Sequence, residues 1–178
     1  MRSAVRASLL IIPLLLAGSA FAQLRLVPIR GGSKVKLVSD SHTKIFDLDS
    51  ALGTDNSDSM PGDPPHLYRV LMTVKKDGFS YIVANVQSRS PISNKMAPCG
   101  GDRPQALLWI KADHDLKTVQ FATAIYASCS FNRYNNRLVV SKHKVVASWG
   151  GNGQTTSITF DEQEPEKAFV KHLPPDVN

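Results

Sequence analysis

The segment "HLYRVLMTVKKDGFSYIVANVQ", residues 66–87, constrains the fold more than any other part of this chain. Two apolar-rich runs flank Asp77-Gly78, a dipeptide that favours a tight turn between antiparallel strands because both turn positions need positive φ. Tyr68, Val70, Met72 and Val74 alternate along the first run, and Tyr81 and Val83 match that face on the second. A period of two is the signature of a strand, since successive side chains point to opposite faces.

Two further hairpins follow. In "LLWIKADHDLKTVQFATAIYASC" the apolar runs flank "DHD". A three-residue turn of Asp113, His114 and Asp115 sets Ala112 opposite Leu116, and Leu107 and Trp109 then share a core face with Val119, Phe121 and Ile125. "RLVVSKHKVVASWGGNGQTTSITF" turns at residues 150–153, which puts Val139, Val145 and Trp149 on one face with Ile158 and Phe160. His143 has the same parity, so a buried or half-buried place is expected for it. His114, in a turn between two aspartates, is expected to be exposed and inclined to protonate. The segment 66–161 thus reads as six strands in three consecutive hairpins. Each has one more apolar face, as in an antiparallel sheet covered on one side.

"KVKLV" and "TKIFDL" predict a fourth, shorter hairpin around "SDSH". Near the end, "EPEKAFVKHLPP" predicts a helical turn or two. Pro165 suits its start, Phe169 and Leu173 share a face, and Pro174 stops it. The fold class is mainly β: an antiparallel meander of hairpins forming a sandwich or partly open barrel, with a short C-terminal helix.

The first residues predict export. Arg2 and Arg6 precede the apolar run "LLIIPLLLAG", and Ala20 and Ala22 occupy the small-residue positions of a cleavage site. This is the layout of a secretory signal peptide, residues 1–22, cut after Ala22. The mature chain, 23–178, is expected to be one β-rich domain without a transmembrane segment, periplasmic or secreted. Losing Arg2 and Arg6 takes the 21 basic residues to 19 against 15 acidic ones, and the net charge from +6 to +4. The basic residues are scattered, without the concentrated, aromatic-lined patch of a nucleic-acid interface, so no nucleic acid is expected.

An exported chain meets an oxidising environment, where paired cysteines form disulfides. This chain has two, Cys99 and Cys129. In the register with Ala112 opposite Leu116 they are equidistant from the turn, placed to clasp the open end of the hairpin. Neither has a local histidine or helix start to activate a thiolate, so a structural disulfide is expected.

No catalytic or metal motif emerges. The histidines are isolated, the two cysteines are not at zinc spacing, and there is no nucleophile elbow. "GGNG" lacks the Lys and Ser/Thr of a phosphate loop. "DLDSALG" places Ala51 where a calcium loop needs its third oxygen ligand. No cofactor and no enzymatic activity are expected. The stretch "TKIFDLDSA" resembles the strand and turn near the start of small secreted adhesin-like proteins of Gram-negative bacteria, over nine residues of 178. That length assigns no family.

The functional expectation is therefore a binding domain. The long polar loops at 53–66 and 88–104 are the candidate contact surface, because loops on a rigid scaffold commonly carry recognition. Arg89, Lys95 and Arg103 offer a basic rim for an acidic partner, and Asp55 and Asp58 an acidic alternative. The leading reading is an inhibitor or immunity-type partner of a secreted toxin or hydrolase. The alternative is an adhesive or envelope-associated module that binds anionic glycan or lipid surfaces.

Overall fold

The computed structural model describes residues 23–29, 34–40, 42–48, 67–87, 105–128, 133, 135–151 and 154–174. The described chain is mainly β, in three antiparallel sheets. The central sheet has four strands in sequence order: β4 (Leu67–Lys76), β5 (Phe79–Gln87), β6 (Gln105–Asp113) and β7 (Val119–Ala127). A three-stranded sheet, β1 (Arg25–Pro28), β2 (Lys34–Ser39) and β3 (His42–Asp47), covers one of its faces. The other face is covered by β8 (Arg137–Val140), β9 (Lys144–Gly151), β10 (Gln154–Asp161) and β11 (Val170–His172).

Expectation and structure part first over how many faces are covered. The central sheet is buried on both sides, so two cores exist. Ile82, Val86, Leu108 and Ile110 pack against Val35 and Leu37 of the three-stranded sheet and Leu24 just before it. Tyr81, Val83, Leu107 and Trp109 point the opposite way, against Val145, Ala147, Ile158 and Phe160. The runs "YIVA" and "ALLWI" are continuously apolar because alternate residues feed different cores. Burying one such aliphatic side chain contributes about 1.5–3 kcal/mol relative to leaving it exposed.

Turn length decides the faces. The turn between β4 and β5 has two residues, Asp77 at φ 52° and Gly78 at φ 79°, with Lys76 paired to Phe79. The left-handed geometry of both residues matches the twist of the flanking strands. The register breaks between Val70 and Met72. Met72 and Val74 therefore face the second core, whereas Tyr68 packs in the first and Val70 is exposed.

The β6–β7 connection is longer than the three residues expected. Ala112 pairs with Val119, not Leu116. The Asp113 carboxylate holds the loop, accepting from the backbone amides of Lys117 at 2.9 Å and Thr118 at 2.8 Å. An odd change in register swaps every side chain to the other face. Trp109 stands beside Ala122 in one core, while Val119 and Ile125 pack in the other. Phe121 is half exposed, its ring edge-on to Phe46 at 6.3 Å. With this register Cys99 and Cys129 are not equidistant from the turn, so that argument for their pairing falls. Both cysteines lie outside the described residues.

The segment expected to run unbroken through His143 is two strands. A turn at 141–143 separates β8 from β9, and His143 is exposed there, paired with Glu162. Val139 is exposed too, and Leu138 takes the core place beside Ala147. The N-terminal hairpin forms as expected, with Ser39 paired to His42.

The short C-terminal helix is corrected to a single 3-10 turn, Pro165–Lys167. Trp109 explains why. Its indole N–H donates to the Pro165 carbonyl at 2.9 Å, the group that would accept from residue 169 in an α-helix. Ala168 then turns to φ 54°, and the chain re-enters the sheet with Val170 opposite Thr159.

Candidate functional site

The residues singled out in the long loops, Asp55, Asp58, Arg89, Lys95 and Arg103, lie outside the described residues. What is described is where those loops are anchored. Leu67, Gln87, Gln105 and Ala127 stand level across the central sheet. These four positions lie at the same end of the four strands, which forms the loop-bearing edge of the sheet. The tight turns at 77–78 and 114–118 close the opposite edge.

Beside these anchors is an open cleft of about 400 Å³. It lies where β8 approaches the second face of the central sheet. The pleat explains its chemistry. Odd positions of β5 feed that face, and they change from Tyr81 and Val83 to Asn85 and Gln87 as the edge nears. Gln105 is paired with Gln87, Arg69 lies opposite Asn85, and Asn136 adds a further amide.

Tyr126 organises the amides. Its side chain is buried, with the residue 1% exposed. The hydroxyl donates to Gln105 Oε1 at 2.6 Å and lies 3.0 Å from Asn85 Oδ1. Asn85 Nδ2 reaches the same Gln105 oxygen at 3.5 Å. Burial pushes the Tyr126 hydroxyl up to about 12, against the opposing influence of Asn85 and Arg69. The phenol is thus a neutral donor at physiological pH. The network gathers amide oxygens on the phenol and engages Asn85 Nδ2 with Gln105, while Gln105 Nε2 and the Gln87 amide bond to no other described residue. Among the described lining residues, Arg69 is the only charged one and no carboxylate balances it.

A larger cavity, about 470 Å³, sits at the opposite edge beside Ser39, Lys76, Phe79 and His114. Two of its charged or titratable groups, Lys76 and His114, are engaged internally. Lys76 Nζ contacts Gln163 O at 2.9 Å and Glu166 Oε2 at 3.1 Å. His114 bridges Asp40 at 2.9 Å and Asp115 at 3.0 Å, and it is exposed as expected. These hydrogen bonds, to Asp115 first and then Asp40, raise its pKa above the ordinary histidine value. The cluster fastens the β2–β3 turn to the β6–β7 turn, and its size alone does not make it a binding site.

Among the described residues no group of three or more His, Cys, Asp or Glu side chains could hold a metal ion. No helix among them is long and apolar enough to cross a membrane. Sequence reasoning missed the cleft residues Arg69, Asn85, Gln87, Gln105 and Tyr126. The available signal was two amides on the apolar parity of β5. Comparison with known proteins finds no matching family model, no matching curated protein and no matching solved structure.

Proposed function

We propose that this chain is an exported, non-catalytic domain that binds a protein partner at the loop-bearing edge of its central sheet. An inhibitor or immunity-type partner of a secreted toxin or hydrolase is its concrete form. The observation that supports it most is the coincidence of the loop anchors at Gln87 and Gln105 with a cationic, amide-lined cleft. Arg89, Lys95 and Arg103 lie in or next to the loop those anchors bound, and would extend the same positive character. Complementary charge of this kind speeds association and selects an acidic partner.

The test is capture of a partner from native envelope extract by the mature chain at moderate salt, followed by titration of the purified pair. Changing Arg89, Lys95 and Arg103 together to Ser should weaken binding and flatten its salt dependence. Unchanged affinity would remove the loop from the site. Export and pairing of Cys99 with Cys129 belong to the same proposal. Intact mass should begin at Gln23, and denaturing thiol labelling should find no free sulfhydryl. Retention of residues 1–22, or two labelled thiols, would contradict them.

One observation favours the alternative of an envelope-associated module. The outer face of the three-stranded sheet places Lys36 between Val27 and Ile45, with Arg25, and with Lys34 opposite Asp47, on the same face. Val27 is 38% exposed and Ile45 57%. A cationic face with exposed aliphatic groups suits an anionic surface. Retention on anionic vesicles that falls as salt rises would support it, and salt-independent or absent retention would exclude it.

A further inference from the structure

We infer that the cleft at the edge of the central sheet is a carboxylate receptor, which accepts an Asp or Glu side chain of the bound protein. The inference rests on the protein-binding reading above and assigns the chemistry of that site. It follows from the balance of donors and acceptors.

The single hydrogen of the Tyr126 hydroxyl goes to Gln105 Oε1 at 2.6 Å, and Asn85 Oδ1 lies 3.0 Å from the same hydroxyl. Those oxygens are therefore turned inward. The Gln105 Nε2 group and the Gln87 amide make no hydrogen bond with other described residues. Arg69 adds five N–H donors in a planar fork and likewise has no ion pair among the described residues. Such a surface offers amide and guanidinium donors around a single positive charge with no carboxylate beside it. An acceptor with one negative charge and two oxygens matches it, and a guanidinium binds a carboxylate through two parallel bonds. One cation does not balance a dianionic phosphate. A lysine side chain would face a like charge. A volume of about 400 Å³ admits a short acidic side chain with its backbone at the rim.

Part of the floor is fixed: Asn85 and Gln105 are held by Tyr126 and by each other, while backbone register places Arg69 and Gln87 beside them. Arg69 and Asn85 are directly cross-strand, as are Gln87 and Gln105. Tyr126 is buried and holds Gln105 by its oxygen, and Asn85 Nδ2 donates to that same oxygen. Preorganised donors reduce the ordering cost of binding.

The probe is acetyl-Glu-amide, with the neutral isostere acetyl-Gln-amide as its control, titrated into the isotopically labelled full mature chain. The acidic peptide should shift the Arg69 Nε–H and the Asn85 and Gln105 side-chain amide signals. It should bind at least tenfold tighter than the neutral one. Arg69→Gln should abolish that difference, whereas Lys75→Gln, at the opposite edge, should preserve it. Equal binding of the two peptides, shifts confined to other residues, or an undiminished preference in Arg69→Gln would overturn the assignment. The two readings fail separately. If Arg69→Gln captures the native partner at wild-type affinity, the carboxylate assignment falls and the protein-binding reading stands. If the acidic peptide binds as described but no protein partner is captured, the receptor chemistry stands and the protein-binding reading falls.

Discussion

The indole N–H of Trp109 donates to the carbonyl of Pro165 across 2.9 Å, joining the middle of the central sheet to the turn that precedes the last strand. Lys76 reinforces the junction through Gln163 and Glu166. Trp109→Phe keeps most of the aromatic bulk but leaves the buried carbonyl without its donor. It should cost about 1–3 kcal/mol, the usual penalty for an unsatisfied buried group. Chemical denaturation measures the loss. Hydrogen exchange should show the largest local change at Val170–His172, and an unchanged midpoint would show that the bond contributes nothing.

Phe160 and Phe121 should behave oppositely. Phe160 is fully buried at 0% exposure, whereas Phe121 is 50% exposed. Phe160→Ala opens a cavity in the core between the central and four-stranded sheets and should cost about 3–5 kcal/mol. Phe121→Ala should cost about 1 kcal/mol or less, since it gives up half a side chain's burial and one edge-on ring contact. Denaturation midpoints of the two variants decide this, and equal losses would contradict the observed register of β6 and β7.

How far the sequence could be read turns on those two phenylalanines. The hairpin at Asp77-Gly78 was legible because its turn chemistry permits few lengths. The loop after Asp113 was not, because the Asp113 carboxylate substitutes for backbone partners and lets a longer turn close. One odd step in register moved Phe121 out of the core and Val119 and Ile125 into the other one. From the sequence, cover on one side only is expected, although "YIVA" and "ALLWI" do not alternate and that is the mark of burial on both faces. The C-terminal turn was not legible, because a tryptophan 56 residues away takes the carbonyl that a helix would use. The cleft was half legible. Asn85 and Gln87 break an apolar face in plain view, but their convergence with Arg69 and Tyr126 depends on strand order.

The His114 cluster predicts a pH dependence. Asp115 and Asp40 raise its pKa, Lys117 pairs with Asp115 at 2.9 Å, and the His42 ring stands edge-on at 6.4 Å. A raised folded pKa contributes stability that is present below the unfolded value of about 6.5 and lost as pH rises through the folded value. Stability should therefore decline from about pH 6.5 upward by a small amount, as suits exposed ion pairs. His114→Gln should flatten that decline. Denaturation midpoints between pH 5.5 and 8 test it, and identical slopes for the two proteins would contradict it. Asp115, held down to about 2 by His114 and Lys117, adds a loss with the opposite sign. That contribution is present above about pH 3.9 and disappears as pH falls through about 2.

Gly78 holds φ at 79° in the two-residue turn, and a methyl group there would meet no atom within 4 Å. Gly78→Ala is thus opposed by backbone conformation alone. It should cost about 1–2 kcal/mol, measured by denaturation. A neutral result would indicate that the turn has another conformation.

The central claim is that the partner sits on the loop-bearing edge of the central sheet. Hydrogen exchange compared between the free mature chain and its complex with the captured partner tests it most directly. The account predicts protection concentrated at Tyr68–Val70, Asn85–Gln87 and Gln105–Leu107, with the turns at 77–78 and 114–118 unchanged. Protection confined to those turns, or to the outer face of β1–β3, would contradict it.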